Sequence, residues 1–157
     1  IWLSPERLKI MTGHMAEALV QLSPDSAAKY QLNSANLISR IDSLDSYICR
    51  SINRFRSGSI VLYHPFLTYF CDDYGLRQVA VEQEGKEPSV SHMKEVVSTI
   101  REEGIKTVFY QEQLHRRSVE ALVRETGVRA VPLDHLAYDV LHNLKSFTEE
   151  LTSPYHT

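Results

Sequence analysis

The chain has 157 residues, of which 43% are hydrophobic and 24% are charged, so it is long enough for one domain with a substantial core. Its formal net charge is −3, which argues against a basic surface for nucleic acid. No apolar run reaches the roughly 20 residues that a membrane-spanning helix needs. Composition and charge therefore indicate a globular domain whose partner is not a nucleic acid.

The chain opens with Ile1, Trp2 and Leu3, in the middle of apolar sequence and without a Met or a signal peptide. We therefore expect it to be a piece of a longer protein, whose location the missing signal does not predict. The two cysteines, Cys49 and Cys71, lack the spacing of a zinc knuckle or a redox motif. We interpret them as buried or inert thiols, with a disulfide between them as the alternative.

The first third of the chain has the pattern of two helices. Ser-Pro-Glu at residues 4–6 combines a capping hydroxyl, a proline at the first helical position and an acid near the positive helix end. Apolar residues follow at steps of three and four, and residues 23–25 repeat the start signal. The second helix, about 24–56, would be on the order of 45 Å long. A coiled-coil arm is the competing interpretation.

From Gly58 onward, short β-rich runs alternate with helical segments. Three of the runs share a glycine, an apolar residue and a basic residue before the β-rich stretch, and each glycine can close the preceding helix. Strands that alternate with helices form a parallel sheet. The first predicted strand is 59–63, and the other three are the β-rich runs that end the repeated segments 75–81, 104–110 and 127–133. The predicted helices are about 66–74, 89–103, 115–126 and 137–151.

Pro132 restricts the order of these strands. Because proline cannot donate to a strand ladder, the fourth strand should lie at an edge of the sheet. With right-handed crossovers, the order 2-1-3-4 satisfies this requirement. We therefore predict an α/β fold with a four-stranded parallel sheet in that order, flanked by helices and preceded by a short and a long helix. Ligands usually approach such sheets at the carboxyl ends of the strands.

Polar side chains follow the predicted strands at that edge. Nitrogen and oxygen donors of this kind suit a divalent cation. Strands 1 and 4, with strand 3 between them, would be roughly 10 Å apart, so two inward-leaning side chains could meet at one ion. The side chains are His64 after strand 1, Glu82 after strand 2, Gln111 and Glu112 after strand 3, and Asp134 and His135 after strand 4.

Most of these residues also have an ordinary structural interpretation. His64 could be a packing residue, and Asp134 could cap the helix that follows it. The common catalytic motifs are absent from the sequence: there is no His-Glu-x-x-His, Gly-x-Ser-x-Gly, P-loop or Gly-x-Gly-x-x-Gly. We interpret Glu82, Glu84 and Glu87 as a solvated loop, His14, His92, His115 and His142 as surface residues of helices, and His156 as part of a tail.

Taken together, several segments resemble the zinc/manganese family of ABC-transporter periplasmic solute-binding proteins. The similarity runs through the whole chain in order, and the first and fourth segments are the most specific. The matching segments are Ile-Trp-Leu-Ser-Pro at 1–5, His-Pro-Phe at 64–66 with Tyr69 and Phe70, Tyr-Gly-Leu at 74–76, Gly-Lys-Glu-Pro-Ser at 85–89, and Leu-Asp at 133–134 with Leu-Ala-Tyr at 136–138.

The resemblance implies two α/β lobes joined by one long helix, with a metal ion held between the lobes. Residues 1–57 would then be a helical segment with the interlobe helix, and residues 58–157 the C-terminal metal-binding lobe. The N-terminal lobe would be absent from this chain. The family's ligand after the first strand and its Asp after the last strand map onto His64 and Asp134, and a further ligand His would precede Ile1.

The resemblance also suggests the metal and the neighbours of its ligands. His64 in place of Glu favours Zn²⁺, with Mn²⁺ as the alternative. Glu112 is a candidate for orienting a ligand through a hydrogen bond. His135 stands where the family often has Pro, and we expect it to point to solvent, with an extra or alternative ligand as the second interpretation. Two ligands leave a four-coordinate site incomplete, so the chain alone should bind metal weakly.

The function that the resemblance implies is a periplasmic or extracellular receptor that delivers metal to an ABC permease in the membrane, and the full-length form could be lipid-anchored. It would not be an enzyme. The alternatives are a metal-dependent hydrolase and an adhesin or interaction module that uses the long helix. The first helices would expose an apolar face without the missing lobe, and this face could drive formation of a homodimer.

Overall fold

The computed structural model describes residues 1–55, 57–111 and 116–153. Six helices and four strands alternate as the sequence predicts, which confirms the α/β class. The helices are α1 (Pro5–Leu22), α2 (Ala27–Ile52), α3 (Thr68–Tyr74), α4 (Val90–Glu102), α5 (Arg116–Thr126) and α6 (Val140–Thr152). The strands are β1 (Ser59–Leu62), β2 (Arg77–Ala80), β3 (Thr107–Tyr110) and β4 (Arg129–Pro132).

The sheet has the predicted order, β2-β1-β3-β4, and all of its strand pairs are parallel. Pro132 ends the edge strand β4. The amides of Arg129 and Leu133 donate to the carbonyls of Lys106 and Tyr110, at 2.9 and 2.8 Å. Because amides alternate sides along a strand, the nitrogen of Pro132 faces away from β3, and no bond of the ladder is lost.

The two N-terminal helices begin as predicted, but the second ends early. The Ser4 hydroxyl caps α1 by accepting a hydrogen bond from the Arg7 amide. A 3-10 turn, Pro24–Ser26, leads into α2, whose 26 residues make it about 39 Å long. The helix ends at Ile52 instead of near residue 56. Phe55, which lies beyond the helix, is only 9% exposed and belongs to the hydrophobic cluster on one face of the sheet.

Two hydrophobic clusters cover the two faces of the sheet. Ile60 and Leu62 belong to the first cluster, while Val61 and Tyr63 belong to the second, as expected from the alternation of side chains along β1. The first cluster includes residues of α2, α3 and α6, and the second includes residues of α4 and α5. The sheet is therefore covered on both sides, and its polar strand ends lie at one rim.

The two cysteines are both free thiols. Cys49 is exposed on α2, and Cys71 is buried in α3, where burial raises its pKa to about 12. The alternative of a disulfide between them is therefore not realised in this structure. Among the described residues, no helix combines the length and the hydropathy that crossing a bilayer requires.

Candidate metal centre

The polar residues that follow the strands lie at one rim, as predicted from the parallel sheet. His64 follows β1 and its neighbour Tyr63, Gln111 follows β3, and Asp134 follows β4 and Leu133. Glu112, the candidate for orienting a ligand, lies outside the described residues. The rim therefore keeps the arrangement on which the metal-site prediction depends.

His64 is paired with Glu82 across the ends of two neighbouring strands. The imidazole Nδ1 lies 2.6 Å from the Glu82 Oε1. The Glu82 side chain is only 7% exposed, whereas 44% of the His64 side chain is exposed. The glutamate thus contacts one nitrogen of the ring from the buried side, and the ring still reaches solvent.

The interpretation of Glu82 as part of a solvated loop is wrong. Pairing between β1 and β2 continues beyond their ends, since the amides of Val81 and Glu82 donate to the carbonyls of Leu62 and Tyr63. This places the two residues that follow these strands side by side. The predicted strand order already made β1 and β2 neighbours, and that was the signal for this contact. Glu84 and Glu87 are exposed, in agreement with the prediction.

Asp134 forms a turn and does not cap the last helix. Its Oδ1 accepts a hydrogen bond from the Leu136 amide at 2.9 Å, and its main-chain carbonyl accepts one from the Asn143 side chain at 2.8 Å. The cap of α6 is Asp139, whose carboxylate accepts from the His142 amide. The capping interpretation of Asp134 is therefore wrong, and its exposed carboxylate stays at the rim.

His135 is half-buried, which differs from the expectation that it points to solvent. Its Nδ1 lies 3.2 Å from the Nε2 of Gln111, whose side chain is buried. Its main-chain carbonyl accepts a hydrogen bond from the Trp2 indole at 2.9 Å. The opening segment of the chain therefore holds the loop that carries Asp134 and His135.

Phe66 lies between the two imidazoles of the rim. Its ring centroid is 6.5 Å from that of His64, at an interplanar angle of 21°, and 5.5 Å from that of His135, at 37°. The loops after β1 and β4 are thus in contact through one aromatic ring. In the ranges that the structure describes, no three His, Cys, Asp or Glu side chains are grouped closely enough to hold a metal ion. The ligand roles of His64 and Asp134 stay predictions.

The other histidines are distributed over the helices. His14 and His142 are exposed, as predicted. His92 differs, because its Nε2 lies 3.0 Å from the carbonyl oxygen of Ala80 and its side chain is only 23% exposed. It connects α4 to the end of β2. His115 and His156 lie outside the described residues.

A groove of about 770 Å³ lies away from the rim, between α4 and α5. Its lining includes Val90, Met93, Val97 and Ala121, and none of the predicted metal ligands. The groove and the predicted metal site are therefore separate features of the surface.

Comparison with known proteins identifies the family to which this chain is similar. Residues 1–151 match the family described as ZnuA, zinc-uptake complex component A, periplasmic. A Chlamydia muridarum protein named for metal binding is 34% identical over 144 residues, which are 91% of this chain and 52% of that protein. The zinc-binding lipoprotein AdcA of Streptococcus pneumoniae is 29% identical over 154 residues, which are 97% of this chain and 29% of AdcA.

The fold agrees with these sequence matches. A crystal structure of ZnuA superposes with a TM-score of 0.93 at 31% identity, covering 98% of this chain and 60% of the ZnuA chain. The parallel sheet and the long helix therefore have the fold of the matching part of ZnuA. The chain belongs to the ZnuA family of zinc-uptake components, and the resemblance noted in the sequence is confirmed. It spans about half the length of the Chlamydia relative.

Proposed function

We propose that this chain is the C-terminal lobe and linking helix of an extracytoplasmic solute-binding protein of a zinc ABC importer. Residues 58–157 form the lobe, and the helical segment 1–57 connects it to an N-terminal lobe. The observation that carries the proposal is the position of His64 and Asp134 at the carboxyl ends of β1 and β4, in a chain of the zinc-uptake family.

The chemistry of the two side chains supports zinc as the cargo. Zn²⁺ binds imidazole nitrogen and carboxylate oxygen at about 2.0–2.2 Å and takes four ligands in closed sites. His64 supplies a nitrogen from an exposed ring. Asp134 supplies a carboxylate, whose Oδ1 accepts a hydrogen bond from the Leu136 amide. The remaining ligands come from the other lobe. A nitrogen ligand at residue 64 favours zinc over manganese.

Binding between two lobes explains how cargo produces a signal for the permease. An ion that contacts both lobes binds the closed arrangement more tightly, and this difference in affinity shifts the population toward it. The C-terminal half of α2 packs against the lobe through Leu44, Ile48 and Ile52, so the helix and the lobe move together. The ABC permease then recognises the closed form and receives the metal.

Titration calorimetry with Zn²⁺ and Mn²⁺ on the full-length protein, which supplies the remaining ligands, tests this function. His64→Ala and Asp134→Ala should each weaken zinc binding by more than the 10–100-fold that substitutions of outer-shell partners typically cause. His14→Ala, which removes an exposed imidazole from α1, is the matched control and should leave the affinity unchanged. Unchanged zinc binding in both rim variants would contradict the proposal, and loss in His135→Ala alone would move the ligand role to His135.

Two other functions were compatible with the sequence, a metal-dependent hydrolase and an adhesin or interaction module. A hydrolase needs an open coordination position and a group placed for acid or base chemistry. Turnover of ester or phosphoester substrates by the zinc-loaded protein, lost in His64→Ala, would favour it over the receptor. Metal-independent binding of another protein to the long helix would favour the interaction module.

A further inference from the structure

We propose that Glu82 is a positioning residue for His64: its carboxylate fixes the ring in the tautomer that presents Nε2 to the metal. This inference rests on the proposed function, because it assigns Glu82 a role through the predicted ligand His64. It concerns a residue that the sequence pattern placed in a solvated loop, and whose importance only the contact across the strand ends reveals.

The contact is built into the sheet. Glu82 and His64 are the residues that follow paired positions, since the amide of Glu82 donates to the carbonyl of Tyr63 at 3.0 Å. Both main chains are therefore fixed by the β1–β2 pairing. At 2.6 Å, Oε1 and Nδ1 are close enough that a proton must lie between them in a hydrogen bond. The Phe66 ring lies near the imidazole, with its centroid 6.5 Å from that of His64 and an interplanar angle of 21°.

Hydrogen-bond chemistry then determines the tautomer. A carboxylate is only an acceptor, so the Nδ1 that faces it must carry the proton. In the neutral imidazole the lone pair is then on Nε2, and a ring nitrogen must be unprotonated to bind a metal. The opposite tautomer would direct a lone pair at the Glu82 oxygen across 2.6 Å. Burial of Glu82, at 7% exposure, strengthens this preference because less water competes for its oxygens.

The position of Glu82 distinguishes positioning from direct ligation. Its Oε1 contacts Nδ1, whereas the metal would bind Nε2 on the opposite side of the ring. When a cation draws electron density from the imidazole, a carboxylate on Nδ1 makes the ring a stronger ligand. Glu82 therefore acts on the ion through His64, and its removal should weaken binding without removing a coordination bond.

The test compares Glu82→Ala, Glu82→Gln and the control Glu84→Gln, which removes an exposed charge two residues further along. Nitrogen-15 NMR of the histidines in metal-free protein should show His64 with its proton on Nδ1 in the wild type and in Glu84→Gln. The proton should move largely to Nε2 in Glu82→Ala. Because a Gln amide either accepts or donates, Glu82→Gln should give a mixture of tautomers.

Zinc affinity should follow the same order. We expect a loss of about 10–100-fold in Glu82→Ala, a smaller loss in Glu82→Gln and none in Glu84→Gln. An unchanged tautomer in Glu82→Gln would overturn the inference, as would full affinity in Glu82→Ala. Circular dichroism reports whether Glu82→Ala is folded, and if it is not, Glu82→Gln decides. Loss of affinity in Glu82→Gln as large as in His64→Ala, with an unchanged tautomer, would instead make Glu82 a direct ligand.

The two proposals fail in different ways. Zinc binding that survives His64→Ala would remove the assigned metal site, but the tautomer of His64 in the metal-free protein would still show whether Glu82 controls the ring. Conversely, a tautomer that ignores Glu82, together with zinc binding that needs His64, would leave the receptor function intact and overturn only the positioning role.

Discussion

The two halves of α2 have similar patterns of apolar residues but very different environments. In the C-terminal half, Ile41, Leu44, Ile48 and Ile52 are buried, and the last three belong to the hydrophobic cluster on one face of the sheet. In the N-terminal half, residues 27–40, no side chain is buried. One continuous helix thus has a half that belongs to the core of the lobe and a half that is supported mainly by α1.

The region around the N-terminal half of α2 exposes apolar surface. Leu22 of α1 and Leu32 of α2 are 82% and 62% exposed, and a groove of about 430 Å³ between the two helices is lined by Val20 and Ile38, among others. Hydrophobic periodicity therefore predicts which face of a helix is apolar, whereas burial depends on what packs against that face. The lobe holds its half of α2 by packing, and this difference can be measured.

The largest expected effect comes from the aromatic cluster beneath the lobe half. Phe147 is 2% exposed and contacts Phe70 and Phe109 edge-on, so Phe147→Ala should lower the free energy of unfolding by about 3–5 kcal/mol. Leu32→Ala on the exposed half should change it by less than about 0.5 kcal/mol. Urea unfolding measures both. Equal losses would mean that the exposed half of α2 is packed as tightly as the core around Phe147.

A smaller loss of stability is expected when the hydrogen bond between Tyr74 and α2 is removed. The Tyr74 hydroxyl donates to the Asp45 Oδ1 at 2.6 Å, and Tyr74→Phe should destabilise the protein by about 1.5 kcal/mol. The control is Tyr30→Phe on the other half of the helix, which we expect to change stability by less than about 0.5 kcal/mol.

The pH dependence of this bond follows from the direction of the pKa shift. Burial, followed by the contact with Asp45, raises the pKa of Tyr74 above its ordinary value of 10.0. A group with a raised pKa contributes its stability fully below the unfolded value and loses it as pH rises toward the folded value. The difference between wild type and Tyr74→Phe should therefore be constant below about pH 9 and shrink above pH 10. A difference that grows with pH would contradict this assignment.

The smallest expected effect concerns the two cysteines, which differ in exposure. Cys49 is exposed on α2, whereas Cys71 is 3% exposed and its pKa is about 12. Iodoacetamide at pH 8 should therefore alkylate Cys49 alone in the native protein, and both thiols in urea, because the thiolate is the reactive form. Mass spectrometry counts the adducts. Rapid native labelling of Cys71 would show that α3 opens readily.

Much of the fold was predictable because its signals are local. Glycines that close helices and β-rich runs marked the strands, and Pro132 placed β4 at the edge. The site was less predictable, because Glu82 and His92 owe their roles to contacts between segments distant in the sequence. Asp134 was ambiguous for a related reason: an Asp near a helix start suits a cap, and only the turn at Leu136 and the true cap at Asp139 resolve it.

The edges of the sheet have a consequence for the behaviour of the protein at high concentration. Unpaired strand edges can add strands from other molecules and so begin aggregation. On β4, the nitrogen of Pro132 faces outward without a proton to donate, and Arg129 is charged and 49% exposed. On β2, Arg77 is 56% exposed, and each edge strand has only four residues. Short, charged edges of this kind disfavour intermolecular strand addition, so we expect the sheet to resist aggregation through β2 and β4.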